Sequence, residues 1–146
     1  MRGKSGTLPK MLGFQAAGSA PIVLGHPVEK PETLATAIRI GNPASWQGAV
    51  TAREESGGLI DSVTDEEITQ AYRFVAEREG VFAEPASCAP VAGVMRLAQK
   101  GFFKEGTRVV ITLTGAGLKD PDFALSFEDP VFKVKSTLEA VKEVIL

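Results

Sequence analysis

Thr114 and the glycines that follow it have the types and spacing that ligand chemistry could use. Residues 114–117, Thr-Gly-Ala-Gly, follow a run of β-branched and apolar residues, so we predict that Thr114 lies at the carboxyl end of a strand. Gly115 and Gly117 would let the backbone approach a ligand closely, although a tight turn without a ligand also explains them. The segment lacks the third glycine and the helix start of a dinucleotide-binding fingerprint, and its spacing does not match a phosphate-binding loop.

Three further side chains could take part in chemistry, and each also has a simpler structural explanation. Glu84 stands between a short predicted strand and a helix, where the helix dipole favours a carboxylate whether or not a ligand is near. Cys88 could have a lowered thiol pKa near the same helix start, but we interpret it as a small buried side chain. His26 lies in a Gly- and Pro-rich connection and is expected at the surface, with no assignable serine or cysteine nucleophile.

Composition and charge exclude several classes of protein. The chain has 146 residues, of which 44% are hydrophobic, and this is enough for one domain with a real core. A net charge of -2 gives no electrostatic case for binding nucleic acid or an acidic membrane. One cysteine and one histidine exclude an internal disulfide and a metal centre built from several such residues. No stretch approaches the roughly 20 apolar residues of a membrane-spanning helix, and a reducing, cytoplasmic compartment is the simplest interpretation.

Apolar runs and helix signals predict an alternation of strands and helices. Strands are predicted at residues 11–17, 59–63, 81–83 and 107–114, the last being the clearest. Helices are predicted at residues 32–40, 44–56, 65–79, 88–100 and 137–145. Residues 22–30, which contain glycine and proline, are predicted to be an extended connection.

The helix after Thr64 has the strongest local signal. Thr64 is expected to cap this helix and Glu67 to reach back to it, as a capping box requires, and Gly80 is expected to end it. The following helix is predicted to begin after Ser87 as its N-cap. That start would put Pro90 in the first turn, where its missing N–H costs little.

This order of elements is typical of an α/β fold with a parallel sheet flanked by helices. In such sheets ligands bind beyond the carboxyl ends of the strands, which points to the loops after residue 17, around Glu84 and at residues 115–120. We expect residues 1–10 to be a flexible lead-in, residues 11–126 to form the domain, and residues 127–146 to be a tail with a terminal helix.

Five segments in this order and spacing resemble the C-terminal part of the bacterial threonine synthase family. They are Met-Leu-Gly-Phe-Gln-Ala-Ala-Gly (11–18), Ala-Thr-Ala-Ile-Arg-Ile-Gly-Asn-Pro-Ala-Ser-Trp (35–46), Thr-Asp-Glu-Glu-Ile (64–68), Glu-Pro-Ala-Ser (84–87) and Leu-Thr-Gly-Ala-Gly-Leu-Lys-Asp-Pro (113–121). The similarity runs from about residue 9 to residue 125, and the Gly-Asn-Pro-Ala-Ser-Trp stretch is its most specific part. The segments at 84–87 and 113–117 are shared more widely, including with threonine and serine dehydratases.

The resemblance implies a fold, a cofactor and a reaction. The fold is that of the large domain of tryptophan-synthase-β-like enzymes, which are pyridoxal 5'-phosphate enzymes of fold type II. The reaction converts O-phosphohomoserine and water to threonine and phosphate, with the cofactor as an electron sink. The family acts in amino-acid biosynthesis in the cytoplasm and is usually dimeric, so a homo-oligomer or association with an N-terminal half is expected.

The resemblance also implies cofactor-binding roles for individual residues. Thr114 matches a hydroxyl that hydrogen-bonds the pyridine nitrogen, and Gly115 and Gly117 would keep its loop near the ring. Glu84 matches a carboxylate at the edge of the cofactor, and Ala37 and Ile38 match residues packing near the ring. Two positions depart from the family pattern. Ala116 replaces a residue that is more often polar, and Pro90 replaces a small residue.

Two motifs of the family are absent from the sequence. The Schiff-base lysine of a Ser-Phe-Lys-Asp-type motif and the Gly-Asn-x-Gly-Asn-type phosphate loop do not occur. We therefore expect no covalent cofactor binding and no synthase activity from this chain alone, and we expect exposed apolar patches that favour association. Two alternatives remain open: a non-catalytic α/β binding or interaction module, and a fragment of a related dehydratase.

Overall fold

The computed structural model describes residues 6–127 and 132–145. In these ranges it contains two strands, β1 (Leu12–Ala16) and β2 (Leu59–Val63). Its helices are α1 (Pro21–Leu24), α2 (Trp46–Ser56), α3 (Asp65–Glu79), α4 (Pro85–Gln99), α5 (Pro121–Leu125) and α6 (Leu138–Ile145), with short 3-10 turns at Thr36–Ile38 and Gly117–Lys119. Residues 1–5 of the predicted lead-in, and residues 128–131 and 146 of the predicted tail, lie outside the described residues.

The two strands form a parallel pair with helices packed on it. Leu12 lies opposite Leu59 and Ala16 lies opposite Val63, so the two strands pair over their whole length. Helix α4 packs on both strands, and α3 packs along α4. The core where they meet includes Val63, Ile68 and Cys88, all with no exposed surface. The predicted parallel sheet flanked by helices is thus confirmed in its class.

Helix α3 forms as its local sequence predicts. The Thr64 hydroxyl accepts the backbone N–H of Glu67 at 3.2 Å, and the Glu67 carboxylate accepts the N–H of Thr64 at 2.8 Å. These two bonds complete the capping box and satisfy two donors that the first helical turn leaves free. Gly80 ends the helix with a φ of 66°, a left-handed conformation that favours glycine.

Helix α4 begins earlier than predicted. Glu84, not Ser87, is its N-cap residue, and Pro85 takes the first helical position, where a proline needs no hydrogen-bond partner. Ser87 therefore lies inside the first turn and is buried. The prediction that Pro90 lies in the first turn is wrong, because Pro90 falls inside the helix and leaves the carbonyl one turn earlier without its helical donor.

The predicted helix at residues 32–40 is wrong except for the 3-10 turn at Thr36–Ile38. Two of the backbone donors near its start bond to groups distant in the chain instead of forming helical bonds. The N–H of Glu32 donates to the carbonyl of Gly18 at 2.9 Å, and that of Leu34 donates to the carboxylate of Asp65 at 3.0 Å. The predicted extended connection at 22–30 is also partly wrong, because the Gln15 side chain accepts two backbone N–H groups of α1 and stabilises that short helix.

Two predicted strands are missing from the part of the chain that the structure describes. Residues 81–83 and 107–114 do not form strands. The segment 81–83 makes one isolated antiparallel bridge, from Ala83 to Ala116. A strand requires a neighbouring strand to complete its ladder of hydrogen bonds. Residues 107–114 have no such neighbour among the described residues, so Thr114 does not lie at the end of a parallel strand and its side chain is exposed. The helix predicted at 137–145 is confirmed as α6.

Candidate functional site

The loop that contains Thr114 lies against the start of α4. The N–H of Glu84 donates to the carbonyl of Gly115 at 2.9 Å, and the N–H of Gly117 donates to the carbonyl of Phe82 at 2.9 Å. These backbone bonds run on either side of the bridge between Ala83 and Ala116. Two of the three predicted loops, those around Glu84 and at residues 115–120, are therefore in direct contact.

Gly115 leaves room for the carboxylate of Glu84 at this contact. A Cβ atom on Gly115 would lie 2.1 Å from Oε1 of Glu84 and 2.3 Å from its Cδ, closer than non-bonded atoms can approach. A Cβ on Gly117 would lie 2.3 Å from the ring of Phe82. The close approach that both glycines permit is thus made to side chains of the protein. Glu84 is only 4% exposed, so its carboxylate is buried under the loop.

Ser87 belongs to the same cluster, and sequence analysis did not identify it as a site residue. Its hydroxyl lies 2.8 Å from the backbone nitrogen of Gly115 and 3.1 Å from the hydroxyl oxygen of Thr114. Ser87 is 1% exposed. A small polar residue one turn after Glu84 was the available signal, but the sequence places no residue of the 114–117 loop next to it.

Ala37 and Ile38 lie in the 3-10 turn Thr36–Ile38, outside the cluster formed by Glu84, Ser87 and Thr114. The turn contacts α4, with Ala37 exposed and Ile38 half-buried against the core. The hydroxyl of Thr36 donates to the carboxylate of Asp120 at 2.7 Å. This bond joins the turn to the segment just after Gly117. The structure thus connects all five predicted site residues through α4 and its neighbouring loops, although it brings only Glu84, Thr114 and Gly115 into one cluster.

The third predicted loop, after residue 17, opens on a different cleft. This cleft has a volume of about 730 Å³, and Gly18, Arg39 and Asp65 are among its lining residues. Its lining includes none of Glu84, Ser87 and Thr114. His26 is exposed, as predicted. Among the described residues there is no group of three His, Cys, Asp or Glu side chains that could hold a metal ion, and no helix is long and apolar enough to cross a membrane.

Comparison with known families decides the class of this chain. The family described as pyridoxal-phosphate dependent enzyme matches residues 1–115. This chain belongs to the pyridoxal-phosphate-dependent enzyme family. The match ends at Gly115, so it covers Ala37, Ile38, Glu84 and Thr114 as well.

Within this family of pyridoxal-phosphate-dependent enzymes, the chain is similar to threonine synthases. It is 54% identical over 136 residues to the threonine synthase of Bacillus sp. (strain ULM1), covering 92% of this chain and 39% of that protein. With the threonine synthase of Halalkalibacterium halodurans it shares 59% identity over 127 residues, covering 86% of this chain and 36% of that protein. The chain therefore spans less than half of the length of these relatives.

Two solved structures of more distant proteins share the fold of this chain. Maize serine racemase matches with a TM-score of 0.61 at 17% identity, over 80% of this chain and 38% of that one. A threonine deaminase from T.th. matches with a TM-score of 0.51 at 23% identity, over 61% of this chain and 34% of that one. At these identities the likeness establishes the fold alone.

The cofactor of this family is pyridoxal phosphate, and the cluster at α4 fits one edge of it. Thr114 is an exposed residue and its hydroxyl can donate a hydrogen bond, which suits the nitrogen of an aromatic ring. A neutral donor does not force a full positive charge on that ring. The motifs for the Schiff-base lysine and the phosphate loop do not occur in this sequence, so the residues present offer a donor for a ring nitrogen but no motif for the aldehyde or the phosphate.

The thiol of Cys88 should be unreactive in the folded chain. It has no exposed surface, and burial, followed by the nearby charge of Glu84, raises the thiol pKa from 9.0 to about 11. At pH 8 the thiolate fraction should fall about a hundredfold relative to a pKa of 9. We expect iodoacetamide to label Cys88 at least about a hundredfold more slowly in buffer than in denaturing urea, measured by mass spectrometry.

The same shift predicts how stability depends on pH. A raised thiol pKa stabilises the folded state below pH 9.0, and this contribution is lost as the pH rises towards about 11. The difference in free energy of unfolding between the wild-type chain and Cys88→Ala should therefore shrink over that range. Fast labelling in the folded chain, or a difference that stays constant with pH, would contradict the burial of this thiol.

Proposed function

We propose that this chain forms the C-terminal part of a threonine synthase, in which it supplies the edge of the active site that binds the ring nitrogen of pyridoxal phosphate. The proposed reaction converts O-phosphohomoserine and water to threonine and phosphate in cytoplasmic amino-acid biosynthesis. The observation that carries the proposal is the identity of 54% with a threonine synthase over 92% of the chain. At such similarity over nearly the whole chain, residue roles at the aligned site are expected to be shared.

In this proposal each clustered residue has a defined part. The bound cofactor supplies an electron sink for carbanions that form next to it. Thr114 donates its hydroxyl hydrogen bond to the ring nitrogen, and Gly115 lets the loop sit close enough for it to do so. Glu84 holds the loop in place through its backbone N–H, which donates to the carbonyl of Gly115. Ala37 and Ile38 provide a small apolar surface beside the ring.

An exposed apolar segment supports association with another polypeptide. In residues 107–114, Val110 is 93% exposed, whereas Val109 and Leu113 are 41% and 37% exposed and Ile111 packs against the core. Ile111 is the one residue of this segment that is partly buried, and the segment has no ladder partner among the described residues. We propose that it pairs with the remaining part of the synthase, or with a second copy in a homo-oligomer, because exposed apolar strands are prone to such pairing.

Reconstitution tests this function. This chain is mixed with the part of the Bacillus sp. (strain ULM1) threonine synthase that it does not match, and phosphate release from O-phosphohomoserine is measured with pyridoxal phosphate present. We expect no release from either chain alone and clear release from the mixture, because the lysine and phosphate-loop motifs are missing from this chain and would come from the other.

Two variants and two outcomes make the reconstitution decisive. Thr114→Val should abolish most of the release, whereas Thr51→Val, the same change at an exposed threonine in α2, should not. A stable complex that releases no phosphate would rule out the synthase function. Release of ammonia from serine or threonine by that complex would favour the dehydratase alternative instead.

A further inference from the structure

We propose that Ser87 is a positioning residue that directs the hydroxyl proton of Thr114 towards the ring nitrogen of the cofactor. This inference rests on the proposed function, because it requires a ring at Thr114. Ser87 is 1% exposed, and three polar groups surround its oxygen. They are the Gly115 nitrogen at 2.8 Å, the Thr114 hydroxyl at 3.1 Å and the Gly115 carbonyl at 3.3 Å.

The number of protons restricts how these groups can bond. The N–H of Gly115 can only donate, so the oxygen of Ser87 must accept it. The single proton of Ser87 can then go either to the hydroxyl of Thr114 or to the carbonyl of Gly115. The carbonyl is the more distant of the two, at 3.3 Å, and it already accepts the N–H of Glu84 at 2.9 Å. The hydroxyl of Thr114 is therefore the better acceptor for Ser87.

This arrangement determines which way Thr114 donates. When the oxygen of Thr114 accepts from Ser87, its own proton must point to a different partner. Ser87 is buried and Thr114 is exposed, so that proton is directed away from the protein. An unprotonated ring nitrogen is an acceptor and matches such a donor. Ser87 thus prepares Thr114 to donate before the ring arrives, which reduces the entropy lost on binding.

The two parts of the cluster are held by separate elements, which explains why Ser87 is needed. Thr114 lies in an irregular segment without a ladder partner among the described residues, and nothing in regular secondary structure orients its side chain there. Ser87 lies in the first turn of α4, which packs on both strands and on α3. The hydroxyl contact therefore transfers the rigidity of α4 to Thr114.

The test compares two ligands that differ only at the ring nitrogen. The probes are deoxypyridoxine phosphate, which lacks the aldehyde and binds without a covalent bond, and its analogue with C–H in place of the nitrogen. Both are titrated calorimetrically into the reconstituted complex. Ser87→Ala should weaken binding of deoxypyridoxine phosphate about tenfold and leave the affinity for the C–H analogue unchanged. Ser126→Ala, the same change at an exposed helix end, should alter neither affinity.

A double variant separates orientation from support of the fold. If Ser87 acts through Thr114, Ser87→Ala should cause no further loss of affinity when it is added to Thr114→Val. Equal weakening of both ligands by Ser87→Ala, or no weakening of either, overturns the positioning role even when the wild-type complex releases phosphate. A wild-type complex that binds neither ligand overturns the positioning role and the proposed function together.

Discussion

Replacing Gly115 with alanine should reduce phosphate release by the reconstituted complex by about a hundredfold or more, because a misplacement of about 1 Å can cost that much. The new methyl group would lie 2.1 Å from Oε1 of Glu84, so the buried carboxylate of Glu84 must shift or the loop must move away from the start of α4. Because Glu84 is buried, we expect the loop to move, and this would break the bond from Gly115 to Ser87 at 2.8 Å and the bond from Glu84 to Gly115 at 2.9 Å. Thr114, next in the chain, would then move away from the position proposed for it.

The control for this variant is Gly48→Ala. Gly48 lies in α2, and a Cβ atom there would meet nothing within 4 Å. Phosphate release by Gly48→Ala should stay at the wild-type level. The rate should be measured at saturating pyridoxal phosphate, and the stability of both variants by urea unfolding. Wild-type release by a folded Gly115→Ala complex would show that contact between the loop and Glu84 is not needed at the site.

Replacing Gly93 with alanine should destabilise the chain by about 1–3 kcal/mol, the usual cost of overfilling a packed core. Gly93 lies inside α4, where alanine is the better helix former by about 1 kcal/mol, so propensity alone predicts the opposite sign. A Cβ atom on Gly93 would lie 2.2 Å from the ring of Phe14 and 2.4 Å from its Cγ. The ring belongs to Phe14, a residue of β1. It must then move, and this opens the contact between α4 and the sheet.

Urea unfolding measures this effect, and Gly48→Ala again serves as the matched control. Because Gly48 is also inside a helix but has open space around it, its replacement should stabilise the chain by up to about 1 kcal/mol. Adding Phe14→Leu to Gly93→Ala should recover part of the loss, because the smaller side chain relieves the overlap. A Gly93→Ala chain as stable as the wild type would mean that α4 does not approach β1 this closely.

Local interactions account for what could be predicted of the fold. Helix α3 begins at a capping box and ends at Gly80, and both signals act within a few residues of each other. Strand β2 and helix α2 were predicted for the same reason, because each is a short run of residues and a neighbouring glycine marks one of its ends. In contrast, the start of α4 was placed three residues late, because Ser87 is a preferred N-cap residue type, whereas Glu84, the actual N-cap residue, makes no capping bond with its side chain.

Interactions between distant residues account for what was wrong. The bonds of Glu32 to Gly18 and of Leu34 to Asp65 replace a helix that the local pattern favours. For the segment at 107–114, the β-type pattern indicates only that a strand is possible. Forming one requires a partner strand, and the described residues provide none.

The sequence by itself determined the two ends of α3, through its capping box and Gly80, and it indicated Thr114 and Glu84 as candidate site residues. The tertiary structure alone decided that Ser87 meets Thr114, at a separation of 27 residues, and that Gly115 lies on the carboxylate of Glu84. The physical reason is the range of the forces. A cap or a glycine stop depends on neighbours in the chain, whereas a hydrogen bond between loops depends on how a helix packs on a sheet.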